Sequence, residues 1–252
     1  MTAWPHSLAG RSAEEPPVGL KLFGIPLHID ASWFIVVLLV SWALTRGYFP
    51  AHAPGFSGVV YLGMGITAAL LLFACVLLHE LGHSLAAKAY GIPVYRVTLF
   101  IFGGVAQIGA GPRRPWVELV VTLAGPLVSA AIAAICFAAL ATFAVHTPLQ
   151  LVVHSILQYL AVINTGILLF NLLPGFPLDG GRLVHAALWA VTNNQRQATR
   201  MASWLGAAFG LGLMGLGMWG MVRGEWSGGL WYILLGFFLR DAALQSYRQA
   251  RP

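Results

Sequence analysis

Two histidines separated by three residues, with a glutamate after the first, form the most chemically loaded stretch of this sequence: His79-Glu80-Leu81-Gly82-His83. On a helix, positions i and i+4 share one face, so both imidazoles can take corners of a tetrahedral zinc site. Glu80 is not a ligand in this pattern; its carboxylate takes the proton from the attacking water. A match of this kind arises by chance in about one chain of this size in a hundred. The bland alternative is a surface helix with a stray histidine pair. The context argues against it, because the motif closes a long apolar run that begins near Val59. In such a segment ionisable groups are costly unless paired or metal-bound.

Zinc needs a third protein ligand and an open position for water. Asp179 is the best candidate. It sits in Asn171-Leu172-Leu173-Pro174-Gly175-Phe176-Pro177-Leu178-Asp179-Gly180-Gly181-Arg182, whose two prolines and three glycines cannot continue a helix. Broken helices at membrane depth are tolerated only where they line protein or a cavity. Glu118, beside Trp116, is the rival and is expected to face the interface. Asn171 has two readings: a donor to the oxyanion of a tetrahedral intermediate, or a tie for the broken backbone. Cys75, one turn before His79, fits a buried thiol better than a ligand. Both Cys75 and Cys136 lie in apolar runs, so no disulfide framework is implied.

The elements that must position these groups are membrane helices. Of 252 residues, 58% are hydrophobic and 9% charged, against about 25% charged in a soluble domain. The expected fold is an all-α polytopic membrane protein. About six transmembrane helices are expected, with a small membrane-associated β-sheet or hairpin after the second. Spans are expected near Ser32–Leu44, Val59–Ala89, Trp116–Val145, from Val153 to the break, Met201–Val222 and Trp226–Leu239. A short helix is expected over Gly181–Val191. Asp30 is a candidate cap for the first helix, and Gly91 with Pro93 should stop the second. Gly206 and Gly210 read as a helix-packing pair. Residues 1–18 read as a loose cytoplasmic tail. Residues 19–252 read as one integral-membrane domain, with its catalytic core at about 24–191.

Between the second and third spans, Val94 to Ile108 has β-type alternation, and Gly24 to Ile29 suggests another short strand. Phe102-Gly103-Gly104-Val105-Ala106 permits a tight turn or a close backbone approach. A plain hairpin would satisfy this pattern. The functional reading is a sheet edge in which Gly103, Gly104, Val105 and Ala106 pair with an extended substrate.

Basic residues set the orientation. With six spans, Arg46 and Arg223 fall on one side and the other Arg and Lys on the opposite side, which places both termini in the cytoplasm. His79 then lies near the cytoplasmic third of the bilayer, and the break before Asp179 reaches a similar depth. The net charge of +6 needs no nucleic-acid partner.

HELGH on the second span, FGGVA after it, then AGPLV and NLLPGFPLDGGR together resemble the site-2 proteases, zinc enzymes that cut peptide bonds inside membranes. The resemblance covers roughly Gly24 to Val191. It implies one Zn2+ per chain held by His79, His83 and Asp179, water activation by Glu80, and Asn171 near the scissile carbonyl. The strand around Gly103 resembles the family's substrate-facing sheet. Many members carry a PDZ insertion or a C-terminal CBS pair. The sequence has room for neither, so substrate filtering by a PDZ domain and nucleotide control by CBS domains are not expected. The resemblance also implies transmembrane protein substrates and a prokaryotic inner-membrane location, and it leaves room for a homo-oligomer.

Two other classes compete with hydrolysis. A non-proteolytic zinc-binding chaperone or sensor would not need Glu80 beside the metal. A metal transporter needs a polar path across the bilayer; His146 and His154 are not linked to the motif by any polar series.

Overall fold

The computed structural model describes residues 20–101, 103–109 and 111–249. The expected tail at 1–18 and Phe102 lie outside the described residues. The chain groups into two compact units, one built from Glu15–Ile108 and Ala124–Leu168, the other including Gly109–Leu123 and Leu169–Pro252.

The first unit opens with β1 (Lys21–Leu22) and β2 (Ile25–Ile29). Asp30 then caps α1 (Ala31–Ala43) by accepting a 2.9 Å bond from the Ser32 amide. The Ser32 side chain, and after it that backbone bond, hold the Asp30 carboxyl below the usual carboxylate range. The helix outlasts its expected end. A π-helical turn (Leu44–Tyr48) joins it to α2 (Phe49–His52), so the apolar span is continuous from Ala31 to His52. Pro50 does not break the chain. It is tolerated because it sits in the first turn of α2, where its missing N–H is not needed.

Next comes α3 (Gly58–Ala89), which carries the histidine pair. It ends where Gly91, at φ 72, and Pro93 stop it. The expected β segment is a hairpin, β3 (Val94–Phe100) and β4 (Gly103–Ile108). The four strands form one sheet in the order β1-β2-β3-β4. β1 and β2 are antiparallel, β2 and β3 parallel with Leu27 opposite Val97, and β3 and β4 antiparallel with Val97 opposite Ala106. The sheet seats on α3 through Ile25, Val97 and Leu81, all buried, with Leu77 one turn earlier. Truncating one such side chain typically costs about 2–5 kcal/mol. Gly103 to Ala106 therefore lie on an edge strand held against the helix of the motif.

α4 (Pro115–Thr142) and α5 (Pro148–Asn171) follow. Pro126 lies inside α4 without ending it, and α5 ends at Asn171, where the sequence predicts the break. In the second unit, α6 (Asp179–Thr192), α7 (Gln195–Val222) and α8 (Trp226–Gln249) complete the fold. Glycines seat α8 on α7: a Cβ on Gly210 would meet the Gly236 carbonyl at 2.6 Å, and one on Gly217 the Gly229 carbonyl at 2.5 Å. Gly206 meets both α8 and the broken segment: a Cβ there would stand 3.2 Å from Ala243 Cβ and 3.0 Å from the Phe176 nitrogen. Among the described residues, five helices are long and apolar enough to cross a membrane: Ala31–His52, α3, α4, α5 and α7. The sixth expected span, α8, is helical but runs on through Arg240 and Asp241 and is not among the five. The protein is a multi-pass membrane protein with a small sheet.

Candidate metal centre

His79 and His83 are both buried, at 4% and 7% exposure, on one face of α3. Their Nε2 atoms face each other at 3.2 Å. Two nitrogens about 2.0–2.1 Å from one zinc at the tetrahedral angle stand about 3.3 Å apart. The pair therefore fits a shared cation.

The ring of His79 is oriented from behind. Its Nδ1 lies 2.9 Å from the hydroxyl of Ser129, a fully buried residue of α4. A proton on Nδ1 leaves the Nε2 lone pair free for a metal. The sequence signal for Ser129 was faint: it lies one turn after Gly125 in α4 and so shares its face.

Gly125 makes room for the second ring. A Cβ there would fall on the His83 imidazole. The facing glycine on α3 matters equally, since a Cβ on Gly82 would approach the Ala124 carbonyl to 2.8 Å. The run Ala124-Gly125-Pro126 thus serves close approach.

Glu80 is half-buried beside the pair. It packs on β4: a Cβ on Gly104 would stand 2.6 Å from Glu80 Cγ. Gly103 has φ 122, a conformation that favours glycine. Val105 is exposed and Ala106 half-buried on the same strand.

Asp179 is the first residue of α6 and is buried. The two glycines after it are explained by crowding. A Cβ on Gly180 would strike the Leu172 and Leu173 carbonyls, and one on Gly181 the backbone of Gly175 and Phe176. His79, His83 and Asp179 each offer one ligand atom, and these atoms lie within 4.8 Å of one another. Two imidazoles and a carboxylate form a donor set suited to zinc that leaves a coordination position open. Asn171, half-buried, is the last residue of α5.

Glu118, the rival ligand, does not face an interface. It is buried and engages His185 of α6, whose Nδ1 lies 2.8 and 2.9 Å from its two oxygens. His185 Nε2 reaches the Thr199 hydroxyl at 3.0 Å, and that hydroxyl donates to the Gln195 carbonyl at 2.9 Å. Reading the sequence missed this cluster because its members are far apart in the chain and match no motif.

Known proteins are similar to this chain. A Synechocystis protein with a provisional zinc metalloprotease name is 40% identical over 92% of this chain and 59% of its own length. A zinc metalloprotease of Methanocaldococcus jannaschii is 32% identical over 80% of this chain and 53% of its own. The chain thus spans little more than half the length of these curated relatives. The solved structure of a site-2 protease from Methanocaldococcus jannaschii matches with a TM-score of 0.55 and 26% identity, over 91% of this chain and 94% of that one. The model of peptidase family M50 matches residues 67–153 and 144–213, which takes in the histidine pair, Ser129 and Asp179. The chain belongs to peptidase family M50.

Proposed function

We propose that this protein is a zinc-dependent intramembrane endopeptidase that cuts transmembrane protein substrates near the cytoplasmic side of the bilayer. The observation that carries this reading is the arrangement on α3: two converging buried imidazoles, with Glu80 between them in sequence and packed against an edge strand. His79, His83 and Asp179 are the proposed ligands of one zinc, supported by the grouping of their donor atoms. Zinc, when bound, polarises the scissile carbonyl and acidifies the attacking water. Glu80 takes the proton from that water and passes it to the leaving amine. Asn171 donates a hydrogen bond to the oxyanion.

A helical substrate shields its peptide bonds, so it must unwind before it is cut. In hydrocarbon its freed amides need partners at once, because each orphan costs several kcal/mol. In this reading β4 supplies them by strand addition through Gly103, Gly104, Val105 and Ala106. Its position at the end of the strand order supports this. The proposed setting is a prokaryotic inner membrane with both termini cytoplasmic.

The test is Glu80→Gln in purified protein. Zinc content is expected to stay near one per chain while cleavage falls by about a hundredfold or more, the usual worth of general-base catalysis. Normal turnover in this variant would favour a non-proteolytic zinc-binding chaperone or sensor.

A further inference from the structure

The geometry points to the β1–β2 hairpin tip as a membrane-surface anchor, seated on anionic lipid headgroups through Phe23, Leu20, Lys21 and Lys88. Leu22 pairs with Ile25, leaving Phe23-Gly24 as a two-residue loop. Both loop residues have positive φ, 52 and 75, the combination of a type I′ turn. Asn, Asp or Gly normally occupies the first of these positions. A bulky aromatic residue is strained there and has no polar side chain with which to offset the strain locally. Packing among the described residues does not explain the choice, because Phe23 is 68% exposed and Leu20, at the start of the hairpin, 66%.

The charges around the tip select its partner. The sequence holds twelve arginines but only two lysines, Lys21 and Lys88. Both are exposed and both come to this tip. Lys21 lies in β1, and Lys88 Nζ donates to the Phe23 carbonyl at 3.0 Å. Lys88 is in the last turn of one candidate span, and β2 leads directly into another, Ala31–His52. The tip therefore stands where apolar helices begin and end. Aromatic rings and lysines with apolar stems are the side chains suited to that boundary. Paired ammonium groups favour an anionic headgroup over a zwitterionic one. The tip is carried on β2, which pairs with β3, which in turn pairs with β4. A lipid-seated tip thus fixes one edge of the sheet whose other edge meets Glu80.

The test reads lipid contact and does not depend on cleavage. The full chain carries p-benzoylphenylalanine in place of Phe23, which keeps an aromatic ring at the tip. It is reconstituted in phosphatidylcholine vesicles with and without phosphatidylglycerol and irradiated. Mass spectrometry should find phospholipid adducts at this position, with phosphatidylglycerol captured at least twofold above its share of the bilayer. Adding Lys21→Gln and Lys88→Gln should return capture to that share. A separate variant, Phe23→Gly, relieves the backbone strain and should leave the Tm in detergent unchanged or raised. Absence of lipid adducts, adducts only with protein, enrichment that survives loss of both lysines, or a marked fall in Tm for Phe23→Gly would each overturn the proposal.

Discussion

Glu80 and Gly104 occupy adjoining space that admits a hydrogen atom and no methyl group: a Cβ on Gly104 would stand 2.6 Å from Glu80 Cγ. The proposed general base and the edge strand are therefore fixed against each other. Gly104→Ala should displace the carboxylate while leaving the histidines alone. A misplacement of about 1 Å can cost about a hundredfold in rate. Zinc analysis and single-turnover cleavage should show metal retained and turnover reduced by that order. Unimpaired cleavage in this variant would mean that the carboxylate position is not critical.

Metal affinity should depend on α4 as much as on α3. Gly125→Ala places a methyl group on the His83 ring and should abolish stoichiometric zinc, as should the double variant His79→Ala, His83→Ala. Ser129→Ala removes the partner of His79 Nδ1, and losses of this kind weaken metal binding by about 10–100-fold. Competition with a chelator reads both effects. Wild-type affinity in Ser129→Ala would remove the orienting role from that hydroxyl.

Strand addition makes its own prediction. Along an edge strand, successive backbone N–H groups point alternately to the neighbouring strand and outward. Proline at Val105 or at Ala106 deletes one of each kind. Both should retain zinc. Cleavage should fall most in the variant that loses the outward donor, without a matching fall in Tm. Substrates with Gly, Pro or Asn near the cleavage depth should be cut faster, since they unwind more readily. Cross-linkers along Gly103 to Gln107 that never capture a substrate the enzyme still cuts would rule out this docking mode.

Much of this site was legible in the sequence because its parts are local and rare. The i, i+4 histidines fix a helix face wherever that helix lies. Pro174, Pro177 and the glycines up to Gly181 announce a break. The alternation from Val94 to Ile108 announces strands. What stayed hidden depends on pairing across the chain. Nothing in Gly24–Ile29 says that β2 lies parallel to β3. Nothing in Glu118 foretells His185, and Ser129 is one of several small residues in α4. Local pattern also misplaced the end of the first span, because Pro50 reads as a breaker until it is seen in the first turn of a helix.

The Glu118–His185–Thr199 cluster has a definite proton count. The Thr199 hydroxyl spends its proton on Gln195, so His185 Nε2 must donate to Thr199. One further proton is then shared between Nδ1 and Glu118, and the pair is net neutral wherever that proton rests. Glu118→Ala or His185→Ala leaves its partner buried and uncompensated, which typically costs about 3–5 kcal/mol. Glu118→Gln still offers Nδ1 a hydrogen bond and should cost distinctly less. Thermal unfolding of the three variants in one detergent checks the order, and equal losses in all three would refute it.

The parallel pairing of β2 with β3 bears on the order of assembly during synthesis. Ile29 waits opposite Leu99 until α1 through α3 have been made and inserted, and β4 emerges later still. Closing so long a loop is slow compared with forming the helices inside it. A ribosome-bound chain therefore carries its histidine pair and Glu80 before its sheet is closed. Asp179 follows β4 only after α4 and α5, so the proposed metal site is the last of these parts to be completed during synthesis.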